Sequence, residues 1–95
     1  MTKAEIDVLA ERLRQKEVEG WTSAHDDWLR AGELATAASR YATNAAARLG
    51  ISPPCLSFGA NWPWDDCWWK PTTPRRDLVK SAALILAEIE RMDRQ

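Results

Sequence analysis

Eleven residues, Asn61-Trp62-Pro63-Trp64-Asp65-Asp66-Cys67-Trp68-Trp69-Lys70-Pro71, gather the side chains best suited to chemistry. They hold four of the chain's six tryptophans, two acids, a lysine and two prolines. An indole offers a large flat apolar face and a single N–H donor. A loop that needed only filling could use Leu or Phe, whereas flat faces with a few polar groups suit stacking on a nucleobase. Cations follow at Lys70, Arg75, Arg76 and Lys80. Arg75 and Arg76 stand where a helix begins, and a helix N-terminus already favours an anion. The combination suits a ligand that is planar and negatively charged. Trp62, Trp64, Trp68 and Trp69 would wall its pocket, and Lys70, Arg75, Arg76 and Lys80 would meet its phosphate. Trp21 and His25 would complete the site from an earlier turn. The competing reading is structural: the rings cap a core too small to close itself, and the cations pair with Asp65, Asp66 or Asp77.

Other constellations carry less. His25-Asp26-Asp27 could ligate a metal or move a proton. It is the only histidine, adjacent side chains diverge, and acids at a helix start satisfy backbone N–H groups. Glu88, Glu90 and Asp93, with Glu11 and Glu17, have a spacing compatible with a magnesium-dependent nucleotide hydrolase built on facing helices. Paired acids on the preceding helix are missing. The sequence has no nucleophile elbow, phosphate loop or paired-cysteine motif. No catalytic residue, metal ligand or cofactor is assigned.

The totals narrow the class. Ninety-five residues make one domain with a modest core. Net charge is -1. Residues 1–34 carry eight acids against five bases, residues 35–64 carry only Arg40 and Arg48, and residues 65–95 balance six against six. With no general basic field, duplex nucleic acid is not expected as partner. Cys55 and Cys67 are too few for a disulfide framework and fit no zinc spacing, so two reduced thiols are expected. No signal peptide and no run of membrane-spanning length is read. The expectation is a cytoplasmic protein with no membrane partner.

The positioning elements are helical. Thr2 and Glu5 form a capping-box start. The first helix is placed at about 3–19, its inner stripe at Ile6, Leu9 and Leu13. Glu5, Asp7, Glu11, Arg12, Arg14 and Gln15 are assigned to its wet side, and Gly20 to its end. Thr22 or Ser23 can cap a short second piece. An alanine-rich helix at about 32–49 buries Leu34, Ala38, Tyr41, Ala45 and Leu49, and Gly50 closes it. Four prolines break the periodicity over 51–73, with Pro74 just after them, apart from a short helical turn near Asp65–Trp69. Thr73-Pro74 opens the last helix, about 74–93. Its stripe of Leu78, Ala82, Ile85, Ile89 and Met92, widened by Val79 and Leu86, is expected to form the centre of the core, with Lys80, Glu88, Glu90, Arg91, Asp93 and Arg94 elsewhere. The fold class is all-α: a small three-helix domain with a long Trp/Pro-rich loop before the C-terminal helix.

The ordered motifs Glu19-Gly20-Trp21-Thr22, His25-Asp26-Asp27, Gly32-Glu33-Leu34-Ala35, Trp62-Pro63-Trp64, Trp69-Lys70-Pro71 and Arg76-Asp77-Leu78-Val79-Lys80, with Ala87-Glu88-Ile89-Glu90-Arg91, resemble a family of small, mostly uncharacterised bacteriophage and prophage proteins. The resemblance spans the chain except for about 43–60. It implies a phage accessory product acting in the cytoplasm of the bacterial host. A shorter similarity, through the Gly-Trp turn and the helical frame, is to ryanodine-receptor-type repeat domains, some of which bind nucleotides. Phage proteins of this size often counter host immunity, and one class sequesters nucleotide second messengers without catalysis. By that analogy the expected function is a non-enzymatic, homo-oligomeric binder of a nucleotide-like small molecule. The alternatives are a protein that docks on a host defence protein through its tryptophans and the magnesium-dependent hydrolase.

Overall fold

The computed structural model describes residues 1–20, 32–50, 62–64 and 66–95. Among these residues there are three α-helices, one 3-10 turn and no strand: α1 Lys3–Glu17, α2 Glu33–Arg48, the 3-10 turn Asp66–Trp68 and α3 Pro74–Asp93. The all-α class is therefore as read. Trp21, His25, Cys55, Asp65 and the short helical piece expected after Gly20 lie outside the described residues. None of the described helices is long and apolar enough to cross a membrane.

Local sequence accounts for the helix ends. The Thr2 side chain accepts the Glu5 N–H at 3.1 Å, while Glu5 Oε1 accepts the Thr2 N–H at 2.8 Å. This reciprocal box satisfies two donors that α1 cannot satisfy itself. Thr73 Oγ1 accepts the Arg76 N–H at 3.1 Å and Pro74 occupies the first turn of α3. Proline fits there because that N–H would lack an intrahelical partner in any case. Gly20 and Gly50 follow α1 and α2 with φ of +76° and +114°, values that an L side chain resists.

Helix α3 is the common neighbour of α1 and α2. Its contact with α2 is lined with small side chains. Ala37, Ala38 and Ala45 of α2 and Ala83 and Ala87 of α3 are essentially sealed from solvent, with Leu34, Tyr41 and Leu84 filling between them. Small residues let the two backbones approach, and the Ser81 hydroxyl donates to the Ala38 carbonyl at 2.7 Å across the interface.

The orientation of α1 and α3 overturns the expected faces. Leu78, Ile85, Ile89 and Met92 of α3, and Ile6, Leu9 and Leu13 of α1, are 45–60% exposed. Leu49, expected in the stripe of α2, is also exposed, just past the end of that helix. Of the expected inner face of α3 only Val79 is sealed; the other sealed positions are Asp77, Lys80, Ser81, Ala83, Leu84, Ala87, Glu88 and Arg91, and those of α1 are Glu11, Arg12 and Gln15. The physical reason is pairing. The buried charged side chains of this set meet partners of matching chemistry. Asp77 accepts the Thr72 N–H at 2.8 Å and the Asn44 amide at 3.0 Å. Glu88 pairs with Arg91 and accepts the Gly32 N–H at 3.3 Å. Arg12 pairs with Glu90 at 3.1 Å. Buried charges so satisfied escape the penalty that would otherwise force them outward. The apolar stripes are real, and within this chain they face away from its core.

Candidate functional site

The site is built upward from Tyr41, at the middle of α2. Its ring is buried, and the tryptophans expected to wall a pocket gather round it. Trp69 lies 4.7 Å from the Tyr41 ring, tilted by 35°, and Trp62 meets it edge-on at 5.7 Å. Trp62 in turn meets Trp69 at 4.9 Å and Trp64 at 5.4 Å, the latter also edge-on. Edge-to-face and offset arrangements suit the ring quadrupoles. All four indoles, Trp68 included, pack on the cluster of Leu34, Ala37, Ala38, Tyr41, Leu84 and Ala87, and all keep part of their surface in solvent. The Trp stretch is therefore both plug and rim: one side of each ring completes the core and the other edge is accessible.

The Tyr41 hydroxyl holds this stretch in place. It accepts the Lys70 N–H at 3.0 Å and donates to the Trp68 carbonyl at 3.4 Å. Burial raises the phenol's pKa above its ordinary value, reinforced by the charges of Asp77, Glu19 and Glu11 and opposed by the hydrogen bond from Lys70. Lys80 reaches under the stretch from α3. Its ammonium donates to the Lys70 carbonyl at 2.5 Å and lies 5.6 Å from the centre of the Tyr41 ring. Burial lowers the Lys80 pKa, with the nearby charge of Asp77 acting against that shift.

The four candidate phosphate-binding cations all have partners within the chain. Lys70 pairs with Glu19 at 3.2 Å and stands 5.4 Å over the Trp68 ring. Arg75 pairs with Asp7 at 2.9 Å, and Arg76 pairs with Glu11. Lys80 is engaged as described. The carboxylates come from α1 and the turn after it rather than from Asp77. The buried Glu11 carboxylate is the hub. It receives Arg14 at 2.7 Å, Gln15 at 3.1 Å and Arg76. Burial pushes its pKa up, and the hydrogen bond from Arg14 with the charges of Arg14 and Arg76 pushes it down further, leaving it below the ordinary value. Arg14 also spans to Glu19 at 3.1 Å, so Glu11, Arg14, Glu19 and Lys70 form one chain of alternating charge.

Between this chain of charge and the aromatic rim lies a recess lined by Glu11, Arg14, Gln15, Glu19, Tyr41, Trp68, Lys70 and Lys80. Its volume is about 10 Å³, room for about one water. Gln15 Oε1 is buried without a hydrogen-bond partner among the described residues.

Of the residues expected at the site, the structure brings Trp62, Trp64, Trp68, Trp69, Lys70 and Lys80 together around Tyr41, while Arg75 and Arg76 turn to Asp7 and Glu11 of α1. Sequence reasoning missed Tyr41 as their organiser and Asp7, Glu11 and Glu19 as partners of the cations. The available signal was the single tyrosine on an alanine-rich helix, where one large ring must fill the space that small neighbours leave. Among the described residues no three His, Cys, Asp or Glu side chains come together as a metal site. The Cys67 thiol is free and exposed. Comparison with protein-family models, with curated proteins and with solved structures finds no match to this chain.

Proposed function

We propose that this chain is a non-enzymatic interaction protein that works by presenting apolar helical surfaces to other protein. One observation carries the reading: seven large aliphatic and thioether side chains of α1 and α3 are about half exposed while charged side chains of the same helices are buried. Contiguous exposed apolar surface of this kind marks interaction sites in soluble proteins. The resemblance to phage and prophage proteins supports an accessory role in a bacterial cytoplasm. The test is site-specific photo-crosslinking. A photoreactive amino acid replaces Leu9 or Ile89 in the full chain, expressed in a bacterial cell, with exposed Ser39 of α2 as control position. Protein adducts at Leu9 or Ile89 but not at Ser39 are expected. Equal yields at all three positions, or none, would sink the reading.

A second reading, sequestration of a nucleotide-like ligand, is favoured by the Trp68–Lys70 edge. There a partly exposed ring and a half-exposed ammonium stand side by side above the polar recess. Binding would require Lys70 to exchange Glu19 for phosphate and the recess to widen. Incubation with linear and cyclic nucleotides, with and without magnesium, separates the readings. Thermal stabilisation with the ligand recovered intact would establish sequestration, and turnover would establish a hydrolase. The interaction reading expects neither.

A further inference from the structure

The outer face of α3 has a regular spacing. Leu78, Ala82, Ile85, Ile89 and Met92 follow one another at intervals of four, three, four and three residues. That is the a/d seam of a coiled coil sustained over two heptads. A helix that only needed to cover its own core would use a broader stripe with period 3.6. Here the core-facing side of α3 is a different set of residues, so the seam is additional to what folding the chain requires.

Resting on the interaction reading above, we propose that this seam is covered by a second copy of the chain, α3 against α3 in antiparallel orientation about a two-fold axis. A heptad seam is self-complementary, which an isologous interface needs. The charges beside it also match. Arg75, half exposed, stands at the N-terminal end of the seam, and exposed Asp93 at its C-terminal end. Antiparallel pairing brings Arg75 of each copy towards Asp93 of the other and opposes the two helix dipoles favourably. A parallel pair would stack like charges at both ends. Four half-exposed side chains of roughly 200 Å² each, with Ala82, give on the order of 450 Å² per copy from the seam alone, over half of the roughly 800 Å² per partner of a standard interface. The flanking residues of α3 are available to contribute the remainder. The stripe on α1, on the side of its helix opposite Glu11 and Gln15, is left open in such a dimer.

Sedimentation velocity on the full chain tests this. The wild type should sediment as a dimer of twice 10.8 kDa at tens of micromolar. Ile85→Glu places a charge at the centre of the seam and should weaken association on the order of 30-fold or more, as loss of a central hot spot does. Because Ile85 lies outside the core of the single chain, helicity by circular dichroism should be unchanged. Arg75→Glu should also weaken the dimer, and Arg75→Glu with Asp93→Arg should restore it. That rescue could not come from the lost pair with Asp7. A monomeric wild type, or a dimer indifferent to Ile85→Glu, overturns the proposal. A dimer disrupted by Ile85→Glu without the charge-swap rescue overturns its antiparallel orientation. A monomer that still cross-links another protein through Ile89 overturns the second copy and leaves the interaction reading standing.

Discussion

Replacing Glu11 by leucine should destabilise the protein more than its place on a surface-like stretch of α1 suggests. The side chain is sealed from solvent and receives Arg14, Gln15 and Arg76. Removing one partner of a buried ion pair costs roughly 3–5 kcal/mol, because the partners left behind keep their desolvation penalty. Here the two arginines can recover some water, their side chains being 35% and 38% exposed. The buried Gln15 amide cannot. Discounting the exposed ends leaves about 2–3 kcal/mol. A chain of 95 residues is expected to have a total stability of about 5–14 kcal/mol. At about 4–8 °C per kcal/mol for a domain of this size, the midpoint should fall by about 10–20 °C. Urea unfolding followed by far-ultraviolet circular dichroism gives the free energy directly. The double variant with Arg76→Leu should be less destabilised than the sum of the single changes, by an amount within the roughly 0.5–3 kcal/mol typical of contacting residues.

The same residue sets a pH dependence. The Glu11 carboxyl is held below its ordinary pKa in the folded protein. The unfolded chain therefore takes up that proton first as pH falls. Glu11 contributes its full stabilisation above the unfolded value of about 4.3, and loses it progressively as pH drops towards and through the folded value. Glu5 and Asp7, also held low by hydrogen bonds from Thr2 and from Arg75, act in the same direction. Glu11→Gln should remove only its share, so that its loss of stability between about pH 5 and 3 is shallower than that of the wild type. A Glu11→Leu variant as stable as the wild type, or a Glu11→Gln profile parallel to it, would refute the idea that the buried charges organise the contact of α1 with α3.

Three further outcomes follow from the same packing. Leu84→Ala, in the sealed α2–α3 contact, should cost about 2–5 kcal/mol, whereas Leu78→Ala two turns away should cost under about 1 kcal/mol when measured on dilute monomer; equal losses in urea unfolding would contradict the reversed faces of α3. Tyr41→Phe leaves the Lys70 N–H without its acceptor and should cost about 1–3 kcal/mol, with a red shift of tryptophan fluorescence as the rim loosens. Ser81→Ala removes the one described hydroxyl that bridges α3 to the backbone of α2, leaves the Ala38 carbonyl buried, and should cost about 1–2 kcal/mol by the same measurement.

What was legible in the sequence was local. Thr2 with Glu5, Thr73 with Pro74, and the glycines at 20 and 50 mark helix ends through interactions within four residues, and each stands where it was read. The 3-10 turn Asp66–Trp68 also falls within the helical turn expected near Asp65–Trp69. The facing of α1 and α3 was not legible, because periodicity gives the phase of an apolar stripe without saying what covers it. The partners that draw the opposite faces inward are far away in the chain: Arg12 with Glu90 is separated by 78 positions, and Arg76 with Glu11 by 65. For the candidate site, the four described tryptophans were legible as one cluster by their density alone. Their dependence on Tyr41 was hidden in a helix otherwise read by its alanines.

These two levels explain why α3 reads as a core helix while its apolar stripe faces outward. On one side Asp77, Lys80, Ser81, Glu88 and Arg91 alternate with alanines and Leu84, each polar group answered by a partner in α2, in the Lys70–Thr72 segment or in α3 itself. That side tolerates few exchanges, since a lost partner leaves a buried charge. On the other side the five seam positions touch no described core cluster. A helix needs no heptad seam there to fold. Aliphatic residues kept at those positions in a chain with a modest core carry a solubility liability unless something covers them. For this protein the oligomeric state is thus the measurement from which the remaining functional questions follow: a dimer through α3 would leave the Trp68–Lys70 edge and the α1 stripe as its two free surfaces, and it is there that a ligand or a further partner would then be sought.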